Sequence, residues 1–178
     1  MRIRRYRPGD IPTLANIQQQ AAQADGVELM SEEDFEQWLG QPELQAATNV
    51  FLITDDDDDL NEWGQAGTLE GLEGEAVGYT VLQLRRSQHA YHFLCEGAVL
   101  PQHRRLGAGY ALLMSALNNV RVRIFEFEFE ARQQGHTIYF EALLPESDQA
   151  SESLAAQFEM LLVEEQTMPD MRLYRSDL

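Results

Sequence analysis

The sequence has a single cysteine, few basic residues and no long apolar run, and each shortage excludes a class of protein. Cys95 cannot form a disulfide within the chain, which is typical of proteins in a reducing compartment. No uninterrupted apolar stretch is long enough to cross a membrane. The basic N-terminus has no apolar segment behind it, so we do not expect a secretory signal. These features predict a cytoplasmic protein that does not enter a membrane.

Positive charge is also scarce. Lys and Arg total 13 against 30 Asp and Glu, which makes the formal net charge −17. Such a charge repels the phosphate backbone and argues against nucleic-acid binding. Nine of the acidic residues, and no basic ones, lie in Asp55–Glu75, which we interpret as an exposed hairpin loop. Metal binding by its aspartate run is the alternative, but blocks of like charge are usually solvated, so we predict no metal.

A chain of 178 residues fits one domain, 1–178, with room for a sizeable core. Apolar and alternating runs predict strands, and apolar residues at helical spacing predict helices. The predicted strands are 2–7, 49–54, 76–86, 90–99 and 137–144, followed by a closing pair within 163–175. The predicted helices are 11–24, 31–39, 105–134 and 151–162. Within the third helix, Val120–Glu130 also alternates as a strand does, and its residue types favour strands. The residues alone leave that segment open.

The stretch Val99–Gly109 joins a predicted strand to a predicted helix and has the properties of an anion site. A helix N-terminus presents unpaired N–H groups and a positive dipole end. Gly107 and Gly109 let a ligand approach the backbone closely, and Arg104 and Arg105 add positive charge. The alternative is that the glycines serve only the turn and the arginines are solvated. The spacing fits neither of the two standard nucleotide-binding loops.

The spacing of Val99-x-Pro101 followed by Arg104-x-x-Gly107-x-Gly109 resembles the acetyl-CoA-binding motif of the GNAT superfamily, the GCN5-related N-acetyltransferases. The resemblance implies an α/β fold with a mixed, mostly antiparallel sheet flanked by helices, whose splayed central strands admit the pantetheine arm. It also implies a turn that holds the CoA pyrophosphate and a Val99 N–H near the thioester carbonyl. The implied acetyl-CoA contacts are Val99, Arg104, Arg105, Leu106, Gly107, Ala108 and Gly109. The resemblance favours a helix over 105–134.

The same resemblance implies an acetyl-CoA-dependent N-acetyltransferase that acts on a primary amine of a small molecule or a peptide. In that family, helices at the positions of 11–24 and 31–39 line the acceptor side. The acidic surface favours cationic acceptors at long range, although the charge could equally serve solubility alone. We expect no membrane partner, and the sequence leaves a homodimer open.

A base must remove a proton from the acceptor ammonium before the amine attacks. Glu96, a carboxylate within an apolar strand, is our candidate, because burial raises the pKa of a carboxyl. Alternatively, Glu96 points outward and pairs with an arginine. The tyrosine that often serves as the family's acid corresponds here to Ala155, and an asparagine before that helix corresponds to about Asp148. A second interpretation is therefore a degenerate GNAT-like protein that binds acyl-CoA or a protein partner without turnover.

Overall fold

A computed structural model describes residues 1–55, 74–164 and 169–178, so most of the predicted acidic loop lies outside the described residues. The strands are β1 (Arg2–Arg5), β2 (Val50–Asp55), β3 (Glu75–Arg86), β4 (Ala90–Val99), β5 (Thr137–Pro145), β6 (Leu161–Leu162) and β7 (Met171–Asp177). The α-helices are α1 (Ile11–Asp25), α2 (Glu32–Leu39), α3 (Ala46–Asn49), α4 (Ala108–Gln134) and α5 (Ala150–Gln157).

The strands form one seven-stranded sheet in the order β1-β2-β3-β4-β5-β7-β6. In the described part of the chain, β4 and β5 are the parallel pair, and the other neighbours are antiparallel. Tyr79 and Val81 pack with α1 and α2, whereas Phe93 and Cys95 pack with α4 and α5. Because side chains alternate across a strand, these two sets lie on opposite faces. The predicted α/β fold with a mixed, mostly antiparallel sheet is confirmed.

Helix α4 begins after Gly107, whose φ is 90°, and ends at Gly135, whose φ of 68° is the left-handed conformation that glycine adopts most easily. The helix runs unbroken through Val120–Glu130, as the resemblance favoured. Burial against the sheet favours the helix over a strand, because Leu113, Val120 and similarly spaced residues share one helical face. The β propensity of the segment yields to that packing.

The predicted helix 151–162 is wrong in its second half. Helix α5 ends at Gln157, and Glu159 then adopts a left-handed φ of 55°. The N–H of Met160 donates to the carbonyl of Ala155 at 3.1 Å, which closes the helix in a Schellman-type turn. Phe158 and Met160 are buried by this reversal. The chain is thereby turned into β6, which pairs with β7.

Candidate active site

The central parallel strands pair over only part of their length. Their register begins at Ala90↔Thr137 and ends at Cys95↔Ala142. Beyond that point β4 remains paired with β3 as far as Val99. Strand β5 likewise stays paired with β7 as far as Pro145. The two strands therefore separate where β4 carries residues 96–99, and the sheet opens into a gap at its centre.

This gap is part of a cleft of about 860 Å³. One end of the cleft lies at the glycine turn and the first turns of α4 and α5. The other end lies against the segment between α1 and α2, with Trp38 of α2 and Tyr79 of β3 in its wall. A cavity of this size accommodates a ligand of several hundred daltons. The splayed strands connect its two ends.

The structure gathers most of the predicted site residues in this cleft. Glu96, Val99, Arg104, Arg105, Gly107 and Gly109 line it. Leu106 and Ala108 are not among the lining residues: the side chain of Leu106 is exposed, and that of Ala108 is buried under the turn. The proposed contacts of these two residues with a cofactor therefore depend on their backbone atoms.

Arg104 is bound within the protein rather than extended into the cleft. Its Nη1 and Nη2 donate to the two carboxylate oxygens of Asp25 at 2.6 and 2.8 Å, and its Nε donates to the Val99 carbonyl at 3.1 Å. The hydrogen bond with Asp25 raises the pKa of Arg104, so the guanidinium stays charged. Such a bidentate pair fixes geometry as well as charge. Arg104 thus fastens the glycine turn to the end of α1.

Asp25 was missed by the sequence analysis, which assigned it no role and ended the predicted helix at residue 24. Its carbonyl also accepts a hydrogen bond from Ser147 Oγ at 2.9 Å, and Asp148 lies 3.9 Å from Arg104. The end of α1 is therefore bonded to both walls of the cleft at its glycine-turn end, which we call the cofactor end. Arg105 lines the same end, and among the described residues it has no ion pair. Only tertiary contact reveals these pairings, because Asp25 and Arg104 are far apart in sequence.

Glu96 combines the two alternatives that the sequence left open. Its side chain lines the cleft, and its Oε1 also lies 3.5 Å from Arg85 Nη2. Burial raises the pKa of the Glu96 carboxyl, and the charge of Arg85 partly opposes that shift. The side chain of Glu96 is 24% exposed, so a molecule in the cleft can reach it. A carboxylate with a raised pKa is a better proton acceptor than an ordinary glutamate.

Tyr79 is a second polar group beside Glu96, and the sequence analysis did not single it out. Antiparallel register places Tyr79 opposite Ala98 and Val81 opposite Glu96, so Tyr79 and Glu96 share one face of the sheet. Tyr79 is only 5% exposed, yet it lines the cleft. Burial, and then the charge of Glu96, raise the pKa of its hydroxyl, which therefore stays protonated. Tyr79 could be identified as a neighbour of Glu96 only from the register between β3 and β4, which the sequence does not reveal.

The position aligned with the family's tyrosine holds no acid, because alanine has no titratable group. Ala155 is fully buried in α5. Asp148, at the aligned asparagine position, accepts a hydrogen bond from the Ala150 N–H at 3.0 Å. Tyr110 lines the cofactor end of the cleft, with its ring centroid 5.1 Å from that of Phe158. Among the described residues, Tyr79 and Tyr110 are the tyrosines in the wall of the cleft.

Neither a metal centre nor a membrane span emerges from the described residues. No three His, Cys, Asp or Glu side chains in 1–55, 74–164 and 169–178 lie close enough together to hold a metal ion. Over the same residues, no helix has both the length and the apolar character that crossing a membrane requires.

The sequence matches no protein-family model, and no curated protein is similar enough to count as a relative. The structure, in contrast, resembles many solved structures. The GCN5-related N-acetyltransferase from Sphaerobacter thermophilus superposes with a TM-score of 0.67 at 20% identity, over 91% of this chain and 44% of that one. This chain thus spans less than half of that protein.

Two other neighbours match over nearly their whole length. The ribosomal-protein-alanine N-acetyltransferase from Brucella melitensis has a TM-score of 0.61 at 17% identity, over 100% of both chains. A chain of the NatC complex bound to Gag peptide and CoA has a TM-score of 0.62 at 12% identity, over 99% of this chain and 98% of that one. At such identities the likeness concerns architecture. With its central strands splayed at a glycine turn, the chain has the fold of the GNAT N-acetyltransferases.

Proposed function

We propose that the chain is an acetyl-CoA-dependent N-acetyltransferase that acts on a primary amine. One observation carries this proposal: the gap between β4 and β5 joins the glycine turn and Glu96 in a single cleft. An acyl group held in that gap lies between an anion site and a buried carboxylate. The likeness in fold to N-acetyltransferases, one of them bound to CoA, supports the same assignment.

The cofactor end is suited to a pyrophosphate. Backbone N–H groups at the start of α4 supply donors and the positive end of the helix dipole. Arg105 supplies a charge without an ion pair in the described chain, and Arg104 holds the turn in place through Asp25. The pantetheine arm of acetyl-CoA would then follow the gap between the strands, with the thioester near the N–H of Val99.

In the proposed reaction, Glu96 accepts a proton from the acceptor ammonium, directly or through water. The freed amine attacks the thioester carbonyl, the carbon–sulfur bond breaks, and the acetyl group becomes an amide. The departing thiolate takes its proton from water or from the product ammonium, because Ala155 offers none. The raised pKa of Glu96 improves its strength as a base near neutral pH.

The acceptor end favours a cationic amine. Apart from Arg104, Arg105 and the two carboxylates beside Arg104, the charged side chains that line the cleft are all acidic: Glu28, Asp34, Glu96 and Asp170. Leu29 and Met30 add apolar surface at its rim. We therefore expect polyamines or basic peptides to be acetylated faster than neutral or anionic amines. A panel of these amines, assayed for free CoA thiol, ranks the acceptors. Neutral or anionic amines that outperform the cationic ones would contradict this preference.

Calorimetry with acetyl-CoA tests the site itself. Gly109 has an ordinary φ, and a Cβ there would lie 3.5 Å from Leu154, so small side chains fit without strain. Gly109→Asp places a carboxylate among the phosphate donors, and we expect its affinity for acetyl-CoA to fall at least tenfold. Gly109→Asn is the matched control, because it has the same shape without the charge. An aspartate variant that binds as tightly as the asparagine variant would place the pyrophosphate elsewhere.

The missing acid supports a second candidate, a protein that binds acyl-CoA without turnover. Calorimetry and the thiol assay separate the two functions. Binding together with thiol release on any amine establishes the transferase. Tight binding without release across the panel favours the non-catalytic alternative. An absence of binding would exclude both.

A further inference from the structure

The second half of α4 exposes a line of large apolar side chains. Val122, Phe125 and Phe129 are 74%, 75% and 72% exposed. Their spacing of three and four residues places them on one side of the helix, opposite the residues that pack on the sheet. We call these three residues the α4 stripe. At about 200 Å² for a phenylalanine side chain, the two phenylalanines alone expose roughly 300 Å². Apolar patches of that size on a soluble protein often mark an interaction site.

The charges beside the stripe are arranged for a copy of the same surface. Residues 121–132 contain three arginines and three glutamates, in a chain whose net charge is −17. The helix period places Arg121 and Glu128 on the same flank of the stripe, seven residues apart and on either side of Phe125. A two-fold axis near Phe125 therefore sets Arg121 of one copy opposite Glu128 of the other, and the pairing occurs twice. Glu128 also accepts a hydrogen bond from Arg132 of its own helix, so in the dimer its carboxylate is shared between two arginines.

We propose that the α4 stripe is a homodimer interface in which two α4 helices pack antiparallel about a two-fold axis. Such an isologous contact is self-complementary, and here both its apolar centre and its flanking charges satisfy that condition. The local balance of charge also removes the repulsion that two copies with a charge of −17 would otherwise meet at contact. The contact is smaller than a standard interface, so the dimer is concentration-dependent, with a Kd on the order of micromolar.

The proposed interface leaves the cleft open. The cleft is lined by the first turns of α4, from Gly109 to Leu113. Phe125 lies sixteen residues beyond Gly109, which is about 24 Å along the helix. Dimerisation and acetyl-CoA binding can therefore be measured separately, and the proposal does not depend on the proposed function.

Sedimentation equilibrium across a concentration series tests the proposal. The double variant Phe125→Asp with Phe129→Asp should raise the dimer Kd at least 100-fold, because it places four carboxylates in the apolar centre. Both side chains are solvent-exposed, so the fold should survive, and circular dichroism with thermal melts checks this. Leu161→Asp is the matched control, since Leu161 is an equally exposed apolar residue away from the stripe, on β6. We expect it to dimerise as the wild type does.

Charge reversal tests the two-fold arrangement itself. Arg121→Glu and Glu128→Arg should each weaken the dimer about tenfold, because like charges then face each other. The chain that carries both changes together with Arg132→Glu should recover most of the wild-type affinity, since the pairs across the axis and the pair within each helix are then restored with their signs exchanged. A wild-type chain that stays monomeric at millimolar concentration overturns the proposal. So does a dimer that survives the double aspartate variant, or a complete reversal of all three charges that is as weak as the single ones.

Discussion

Glu141 and Glu96 lie on the same face of the sheet, but they differ in how strongly neighbouring side chains pair with them. Glu141 of β5 lies beside Leu94 of β4 in the parallel register, and Glu96 lies two residues further along β4. Where the strands are paired, Glu141 Oε1 accepts a hydrogen bond from Arg175 Nε at 2.7 Å and makes a 3.0 Å contact with His92 Nδ1. Where they have separated, the partner of Glu96 is Arg85, 3.5 Å away and mostly exposed.

The difference shows how one fold uses the same residue type for structure and for chemistry. A buried carboxylate with good partners is held in place, and it links β4, β5 and β7. A carboxylate at the edge of a gap is partly desolvated and weakly paired, so the pKa of Glu96 rises and its lone pairs face the cleft. Because β4 and β5 separate just beyond the Leu94–Glu141 pair, a glutamate two residues further along β4 is left free for chemistry, whereas Glu141 is held in a structural role.

The largest effect is expected from Glu96→Gln. A positioned general base contributes about 100- to 10,000-fold, so kcat/KM should fall by that factor while the affinity for acetyl-CoA is unchanged. The acidic limb of the pH–rate profile, which reports the ionisation of Glu96, should flatten. Steady-state kinetics across pH and calorimetry measure these quantities. Wild-type rates in the variant would remove Glu96 from the mechanism.

The same variant should be slightly more stable than the wild type at pH values above the folded-state pKa of Glu96. Because the folded-state pKa of Glu96 is raised, ionisation costs folding free energy as pH rises through the unfolded and then the folded pKa. Below the unfolded pKa both states are protonated and the cost vanishes. Thermal melts at low and at neutral pH show whether the advantage of glutamine grows with pH. A constant advantage would mean that the charge is not its cause.

Glu141→Gln should produce the reverse pattern. Charge-assisted hydrogen bonds to a buried carboxylate contribute about 1.5–3 kcal/mol, so the free energy of unfolding should drop by roughly 2–3 kcal/mol. For a domain of this size that lowers Tm by about 5–10 °C. Well below the melting temperature, kcat should remain within about threefold of the wild type, since Glu141 does not line the cleft. A Glu141→Gln variant that is stable but inactive would show that Glu141 acts in the reaction rather than in the stability of the fold.

The smallest effect is expected from Arg85→Gln. Arg85 opposes the rise in the pKa of Glu96, so its removal should raise that pKa further. The acidic limb of kcat/KM should therefore move to higher pH, with little change in the plateau rate. The shift is modest because an exposed charge is screened by solvent. Arg86→Gln is the matched control, and an equal shift in both variants would show a general charge effect instead.

Local sequence determined the elements and the glycine turn. Gly107 is needed at its φ of 90°, and apolar residues at helical spacing specify the first turns of α4. The splay was expected only through the likeness of Val99–Gly109 to a known motif. The end of α5 was misjudged because burial of Phe158 and Met160, a tertiary effect, outweighs the helical spacing that continues to Leu162.

Tertiary structure alone decided which charges are free to act. Arg104 and Arg105 are adjacent in sequence, but Asp25, 79 residues away from Arg104, binds only the first of them. Glu96 and Glu141 both lie in apolar strands, and only the register with β3, β5 and β7 sets their partners. The physical reason is that a charge's role depends on what lies within a few ångströms of it. Local pattern specifies helices and strands, whereas long-range pairing places those neighbours.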